Sequence, residues 1–167
     1  MCLPARDKHQ TRGLEVGTRG GERVSKMSDP KEQYLLEEQV GYLMRLAGQR
    51  HAAIFQSLAP FGLTPTQFSA LVKLLELGEC SQNELGRKTA MDVATIKGVV
   101  DRLRQRDLVV VRPDPADKRR SLISLSQDVQ GTAQSLYDAG FEISEQTLLP
   151  LDAKEREVFL ALLKKLT

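Results

Sequence analysis

Arginine and lysine gather twice in the middle of the chain, at spacings that suit phosphate binding. Arg102, Arg104 and Arg106 alternate along one segment, with Lys97 five residues ahead of the first. A second group, Asp117-Lys118-Arg119-Arg120, follows directly on Pro113-Asp114-Pro115-Ala116. The proline and aspartate positions are turn chemistry, so the second group reads as cations held on a tight tip. Guanidinium and ammonium groups in such places neutralise backbone phosphates, and a hairpin tip can carry an arginine into a narrow minor groove. Residues 81–120 hold ten Lys/Arg against six Asp/Glu, while residues 127–167 hold four against seven. The formal net charge of +2 over 167 residues thus conceals a basic centre and an acidic C-terminal part.

Other chemistries find little support in the residues. The chain shows no glycine-rich phosphate loop, metal-ligand cluster or catalytic triad, and its two histidines are His9 and His51. Neither an enzyme nor a cofactor is expected. Cys2 and Cys80 cannot build a disulfide framework or a zinc site between them, which points to a reducing, cytoplasmic setting. No apolar run reaches the roughly 18–20 residues of a membrane span, and residues 1–26 lack the apolar core of a secretory signal. Aromatic content of 5% without tryptophan argues against a stacking platform for single strands.

The elements that must position the cations follow from periodicity. Residues 1–30 carry four of the 12 glycines and read as a flexible basic arm; Met27 could open a shorter chain. A dimerisation helix is expected within 31–62. One apolar stripe runs Leu36, Val40, Leu43, Ala47, Ile54 and Leu58, and a second runs Leu35, Tyr42, Leu46 and Ala53. A helix apolar on two sides needs more than one neighbour. Pro60 and Gly62 end it. Thr64 before Pro65 is an N-cap followed by proline at the first helical position. That helix, bearing Phe68, Leu71, Val72, Leu74 and Leu75, ends near Gly78. Ser81-Gln82-Asn83-Glu84 spells a capping box for a short helix carrying Leu85. Asp92 caps a third helix from Val93 to about Arg106, with Ile96, Val99, Val100 and Leu103 on its apolar side. After Asp107 the pattern becomes β-branched: Leu108–Arg112 and Ser121–Leu125 read as a hairpin with Lys118-Arg119-Arg120 at its tip. From Ser126 one long helix is expected to about Leu149, with Val129, Leu136, Ala139, Phe141 and Ile143 as its apolar residues. Pro150 breaks it, and Asp152 with Glu155 caps a last helix bearing Val158, Phe159, Leu162, Leu163 and Leu166.

Helix, short helix, helix and basic-tipped hairpin make a winged helix-turn-helix over 63–126. The fold class is mainly α with a small β-wing, flanked by N-terminal and C-terminal (127–167) dimerisation helices. Val93, Ala94 and Thr95 are small enough to let the helix end enter a major groove about 12 Å wide. Thr95 and Lys97 are expected to reach base edges or phosphates, and Arg102 and Arg104 to meet the backbone further along. For those arginines the competing assignment is a solvated helix face partnered by Asp101 and Asp107.

Four stretches together resemble the MarR family of bacterial transcriptional regulators: Leu63–Phe68, Leu85-Gly86 through Thr95, Val100-Asp101-Arg102-Leu103 to Asp107-Leu108-Val109, and Asp114–Arg120. The last is similar to the family's wing signature Asp-Pro-x-Asp-Arg-Arg, with Lys118 in place of the first arginine. The resemblance spans roughly 32–166. It implies that Asp117 orients Arg119, that Arg119 enters the minor groove, and that the protein is an obligate homodimer on a palindromic double-stranded operator, usually as a repressor. It also implies a small phenolic or aromatic acid as effector, bound between the dimerisation helices and the DNA-binding lobe. The family's thiol switch needs a cysteine near the start of the first long helix, which neither Cys2 nor Cys80 supplies.

The first helix offers groups for such an effector. Gly41, Arg45, Gly48 and Ala52 fall on one face, and each glycine inside a helix costs about 1 kcal/mol, so a partner helix or a ligand is expected to approach there. Arg45 suits a carboxylate, His51 an acid or hydroxyl, and Arg50 is a further candidate. Against this, the glycines can serve helix crossing, Arg45 can pair with an acid across the dimer, and His51 can be a satisfied core residue. The Arg45…His51 spacing and Thr64–Phe68 look like the branch controlling aromatic-acid and nicotinate breakdown, which implies a hydroxybenzoate, protocatechuate, aryl-CoA or hydroxynicotinate effector. The rival function is a winged-helix protein-interaction module without sequence-specific DNA binding.

Overall fold

The computed structural model describes residues 34–117 and 119–167. The expected arm over 1–30 and the first residues of the expected dimerisation helix lie outside them. Within Leu36–Thr167, which is one compact unit, a 3-10 turn at Leu36–Glu38 leads to α1, Val40–Leu58. The helix therefore starts later than the apolar stripe suggests. Gln39 is extended (φ −80°, ψ 133°) and interrupts the helical ladder between the turn and α1. Hydrophobic spacing cannot distinguish a 3-10 turn from a first helical turn, because both place Leu36 near Val40.

Pro60–Gly62 forms a second 3-10 turn in which Phe61 and Gly62 take left-handed φ values of 57° and 59°. α2, Pro65–Leu77, begins with Thr64 and Gln67 in a reciprocal capping box and stops at Gly78, whose φ of 75° suits a residue without Cβ. A three-residue strand, β1 (Glu79–Ser81), comes next and precedes α3, Gln82–Lys88. The capping box expected at Ser81 is half realised. Its hydroxyl accepts from the Glu84 amide at 3.3 Å, but Ser81 is also the last residue of β1, opposite Leu122. α4 runs Val93–Gln105, then β2 Val109–Pro113 and β3 Ser121–Leu125. The sheet order is β1-β3-β2, antiparallel throughout, with Cys80 and Val111 both opposite Ile123.

The single helix expected from Ser126 to Leu149 is two: α5 (Gln127–Gln130) and α6 (Ala133–Leu148). Between them the Thr132 hydroxyl and amide both turn back to the Val129 carbonyl, at 2.9 and 3.0 Å. A glycine of low helix propensity followed by a threonine that competes for backbone carbonyls is enough to break the ladder. α7, Ala153–Leu163, carries the expected Asp152–Glu155 box, with both bonds at 2.9 Å.

The core lies under α2, α3, α4 and the sheet. Leu71, Leu74, Leu85, Ile96, Leu103, Ile123 and, from α6, Leu136 are fully buried. Gly86 is required where α3 meets α4. A Cβ there would sit 3.1 Å from the Met91 carbonyl oxygen and 3.2 Å from Ile96 Cγ2. In contrast, α1 buries Phe55, and α7 buries no residue. Phe141, expected among the apolar residues of the C-terminal helix, is 72% exposed.

Candidate nucleic-acid interface and effector site

The helix α4, expected from the sequence to read DNA, is anchored by its cap and its apolar face. Asp92 Oδ1 accepts from the Thr95 amide and Asp92 Oδ2 from the Thr95 hydroxyl, both at 2.8 Å. These bonds, the backbone one foremost, hold the Asp92 carboxyl below the usual carboxylate range. Ile96, Val99, Val100 and Leu103 face the core, so Val93, Ala94, Thr95 and Lys97 face outward, with Val93 69% exposed. The Thr95 hydroxyl donates to Asp92, which leaves its oxygen lone pairs and its methyl group turned outward.

The arginines of this helix divide. Arg102 is exposed and stands over Gly98, where a Cβ would lie 3.9 Å from its guanidinium. Arg104 is exposed and loosely paired with Asp101 at 3.7 Å, a contact worth little in water. Arg106 donates instead to the Phe61 carbonyl in the turn between α1 and α2.

The wing is braced from both ends. The Asp117 carboxylate accepts from the Arg119 amide at 3.0 Å, and the Asp117 carbonyl from the Arg120 amide at 2.8 Å. Asp117 thus fixes the backbone that carries Arg119 rather than gripping its guanidinium. Buried Asp114 accepts from the Ala116 amide at 2.8 Å and lies 3.8 Å from Arg120. The Arg119 guanidinium is exposed and has no hydrogen-bond or ion-pair partner among the described residues. Lys118 lies outside them. Arg112 clamps the base of the wing through a bidentate pair with Glu79, at 2.7 and 2.5 Å, spanning from β2 across β3 to β1; the same carboxylate holds the guanidinium pKa above its ordinary value. This brace escaped sequence reading because β1 is too short to show a period of two.

The three candidate effector residues do not converge within one protomer. Arg45 is exposed, donates to Gln49 at 3.1 Å and lies 5.0 Å from the Tyr42 ring centroid. Nothing lies within 4 Å of a Cβ built on Gly41 or Gly48, so the small-residue face is open within the protomer. Arg50 donates to the carbonyls of Thr147 and Gln146 at 2.5 and 2.9 Å, satisfying the end of α6. His51 Nδ1 lies 3.0 Å from the Thr147 hydroxyl. That hydroxyl gives its proton to the Ile143 carbonyl at 2.7 Å, so it accepts from His51. This puts the imidazole proton on Nδ1 and leaves Nε2 as the second polar atom. Beside His51 stands an aromatic pair, Phe55 and Phe68, edge to face at 5.6 Å between centroids, with His51 6.3 Å from Phe55. Gly140 admits the Phe68 ring, since a Cβ there would lie 3.3 Å from it. Phe55 falls between the two apolar stripes read from the sequence; its place four residues after His51 was the available signal.

Cys80 is buried and free, and burial, with Glu84 and Glu79 nearby, pushes its thiol pKa up. Such a thiol is a poor nucleophile. Among the described residues there is no helix long and apolar enough to cross a membrane and no group of side chains that could hold a metal ion.

A core-anchored helix with a bare, small N-terminal face, beside a three-stranded wing with an exposed arginine, defines a winged helix-turn-helix protein. Residues 63–121 match the MarR family. Over 134 residues the chain is 42% identical to the HTH-type transcriptional repressor NicR of Pseudomonas putida, covering 80% of this chain and 85% of that one. Its fold is similar to the crystal structure of a probable transcriptional regulator from Pseudomonas aeruginosa, with 49% identity, a TM-score of 0.76, and coverage of 80% of this chain and 100% of that one. It is also similar to Bordetella bronchiseptica BpsR, in a structure concerned with regulation of DNA binding by 6-hydroxynicotinic acid: 39% identity, TM-score 0.73, coverage of 80% and 96%. The chain belongs to the MarR family of transcriptional regulators.

Proposed function

We propose that this protein is a repressor that binds an inverted-repeat operator as a homodimer and leaves it when a small aromatic acid binds. The observation that carries the DNA reading is the pairing of α4, whose N-terminal face is bare, with a wing whose Arg119 guanidinium has no partner among the described residues. The dimer reading rests on the apolar surface of α1 and α7. Val40, Leu43 and Met44 on one, and Val158, Phe159 and Leu162 on the other, are exposed in a single protomer, a pattern that marks an association surface. A two-fold dimer sets two recognition helices about one DNA turn apart, which asks for an inverted repeat.

The effector reading rests on α1 and on similarity to NicR and BpsR. His51 Nε2 and the Phe55–Phe68 pair offer a polar atom beside apolar rings, a suitable wall for a hydroxylated aromatic ring. Arg45, exposed on the open glycine face and apart from His51 within one protomer, suits the carboxylate if the dimer brings that face to the pocket. Arg50 holds the end of α6, so it contributes by fixing His51 and Thr147 in place. Hydroxynicotinate is favoured over the hydroxybenzoate and aryl-CoA classes because BpsR is described as regulated by 6-hydroxynicotinic acid. No cofactor enters the reading. The effector acts by shifting the population of lobe spacings, and a coupling of about 1–3 kcal/mol gives roughly 5- to 150-fold release.

Gel-shift titration of the full chain on its upstream DNA, with and without 6-hydroxynicotinate, tests this. Expected are one preferred inverted repeat over bulk DNA, weakening on addition of the acid, and loss of that response in Arg45→Ala and His51→Ala. Arg119→Ala should weaken binding most at A·T-sensitive flanking positions. Equal affinity for operator and scrambled duplex would instead favour the protein-interaction module.

A further inference from the structure

A cavity of about 480 Å3 lies between the start of α3 and the wing. Arg87 lines it from α3, Arg119 and Arg120 line it from the wing, and Gln82, Asn83 and Ser121 add polar atoms. No carboxylate and no aromatic ring is among the lining residues. A second cleft, about 270 Å3, opens between α3 and the start of α4, and it shares Asn83 and Arg87 with the first. These two residues stand four apart on α3, on one face, and so form a ridge leading from the wing to the recognition helix. Arg87 is exposed, and no carboxylate pairs with it among the described residues.

Arg120 is loosely paired with Asp114 at 3.8 Å, but Arg87 and Arg119 face the same opening without a carboxylate partner among the described residues, and planar guanidinium forks match phosphate oxygens. The walls are wrong for an aromatic acid, which needs apolar surface. The position is informative as well. If α4 occupies the major groove and the wing the adjacent minor groove, the strand dividing those grooves must cross the gap between them. We infer that this cavity seats a backbone phosphate of that strand, and that Arg87 is a phosphate clamp joining recognition helix to wing. This rests on the DNA reading above.

The test is fluorescence anisotropy of the full-length protein on operator and scrambled duplexes over a range of salt, for wild type, Arg87→Ala, Arg87→Gln and Arg87→Lys, each checked for an unchanged melting temperature. Arg87→Ala and Arg87→Gln should lose roughly tenfold in affinity, by the same factor on both duplexes. Their log–log salt slope should fall by about 0.9 per half-site, while Arg87→Lys keeps the slope. An unchanged slope, or a loss confined to the operator, would overturn the clamp. A parallel titration of DNA-free protein with inorganic phosphate, read on the Arg87 Nε–H NMR signal, separates the two sources of phosphate. Saturation there with an unaltered DNA slope in Arg87→Ala would make the cavity a free-anion site and overturn the assignment. Failure of wild type to bind either duplex would overturn the function itself, a result distinct from failure of the Arg87 variants alone.

Discussion

The winged lobe and the helices that flank it treat apolar surface in opposite ways. From α2 to β3 the chain closes a core on itself, with Leu71, Leu74, Leu85, Ile96, Leu103 and Ile123 sealed from solvent. α1 and α7 leave most of their apolar residues bare: Val40 is 68% exposed, and α7 is tied to the end of α6 by Arg156, which donates to the carbonyls of Leu148 and Leu151 and to Glu145. The lobe is finished within one chain, and the scaffold is not. The lobe is built as a self-contained unit, while α1 and α7 keep apolar surface available for association.

The comparison breaks most readily on the scaffold side. Val158→Asp combined with Leu162→Asp should leave the lobe folded, judged by circular dichroism, yet convert dimer to monomer in sedimentation. Operator affinity should then fall by about 10²–10⁴, the loss expected when two linked sites act singly. A persistent dimer would show that α7 faces water. Within the lobe, Gly86→Ala should cost about 1–3 kcal/mol in denaturant unfolding, because the new methyl group meets the Met91 carbonyl, a backbone atom that moves only with the turn into α4. The same change should weaken operator binding, and a neutral result would mean that α3 and α4 slide freely. The smallest effect is at the cap. Asp92 has a lowered pKa in the folded state, so its contribution is complete above the ordinary carboxylate range and is lost as pH falls through it toward the lowered value. Protection of the Thr95 amide against hydrogen exchange should therefore decline in acid below about pH 4, and Asp92→Asn should flatten that decline.

The lobe was largely legible in the sequence because its signals are local. Thr64-Pro65, Ser81 and Asp92 each announce a helix start, and each makes a capping bond, as Asp152 does for α7 in the scaffold. Features fixed by distant partners were less so. β1 exists because Cys80 lies opposite Ile123, and three residues carry no readable period. The break at Gly131-Thr132 depends on one hydroxyl turning to one carbonyl. The cation positions were readable as exposed groups, but their division was not: Arg106 is taken by Phe61, and Arg87 becomes notable only once the wing is folded beside α3. Arg45, Arg50 and His51 were identifiable on α1; Arg45 bonds Gln49 within α1, while the α6 partners of Arg50 and His51 required the tertiary fold.

The operator reading depends on the scaffold joining two winged lobes so that both engage one inverted repeat together. The direct measurement is the mass of the protein–DNA complex, by sedimentation, on a duplex carrying one inverted repeat, and on a second duplex with the half-sites moved apart by about half a helical turn. Two protomers binding together on the first duplex, and strongly weakened binding on the second, are the expected result. One protomer per half-site, with affinity indifferent to the spacing, would contradict it.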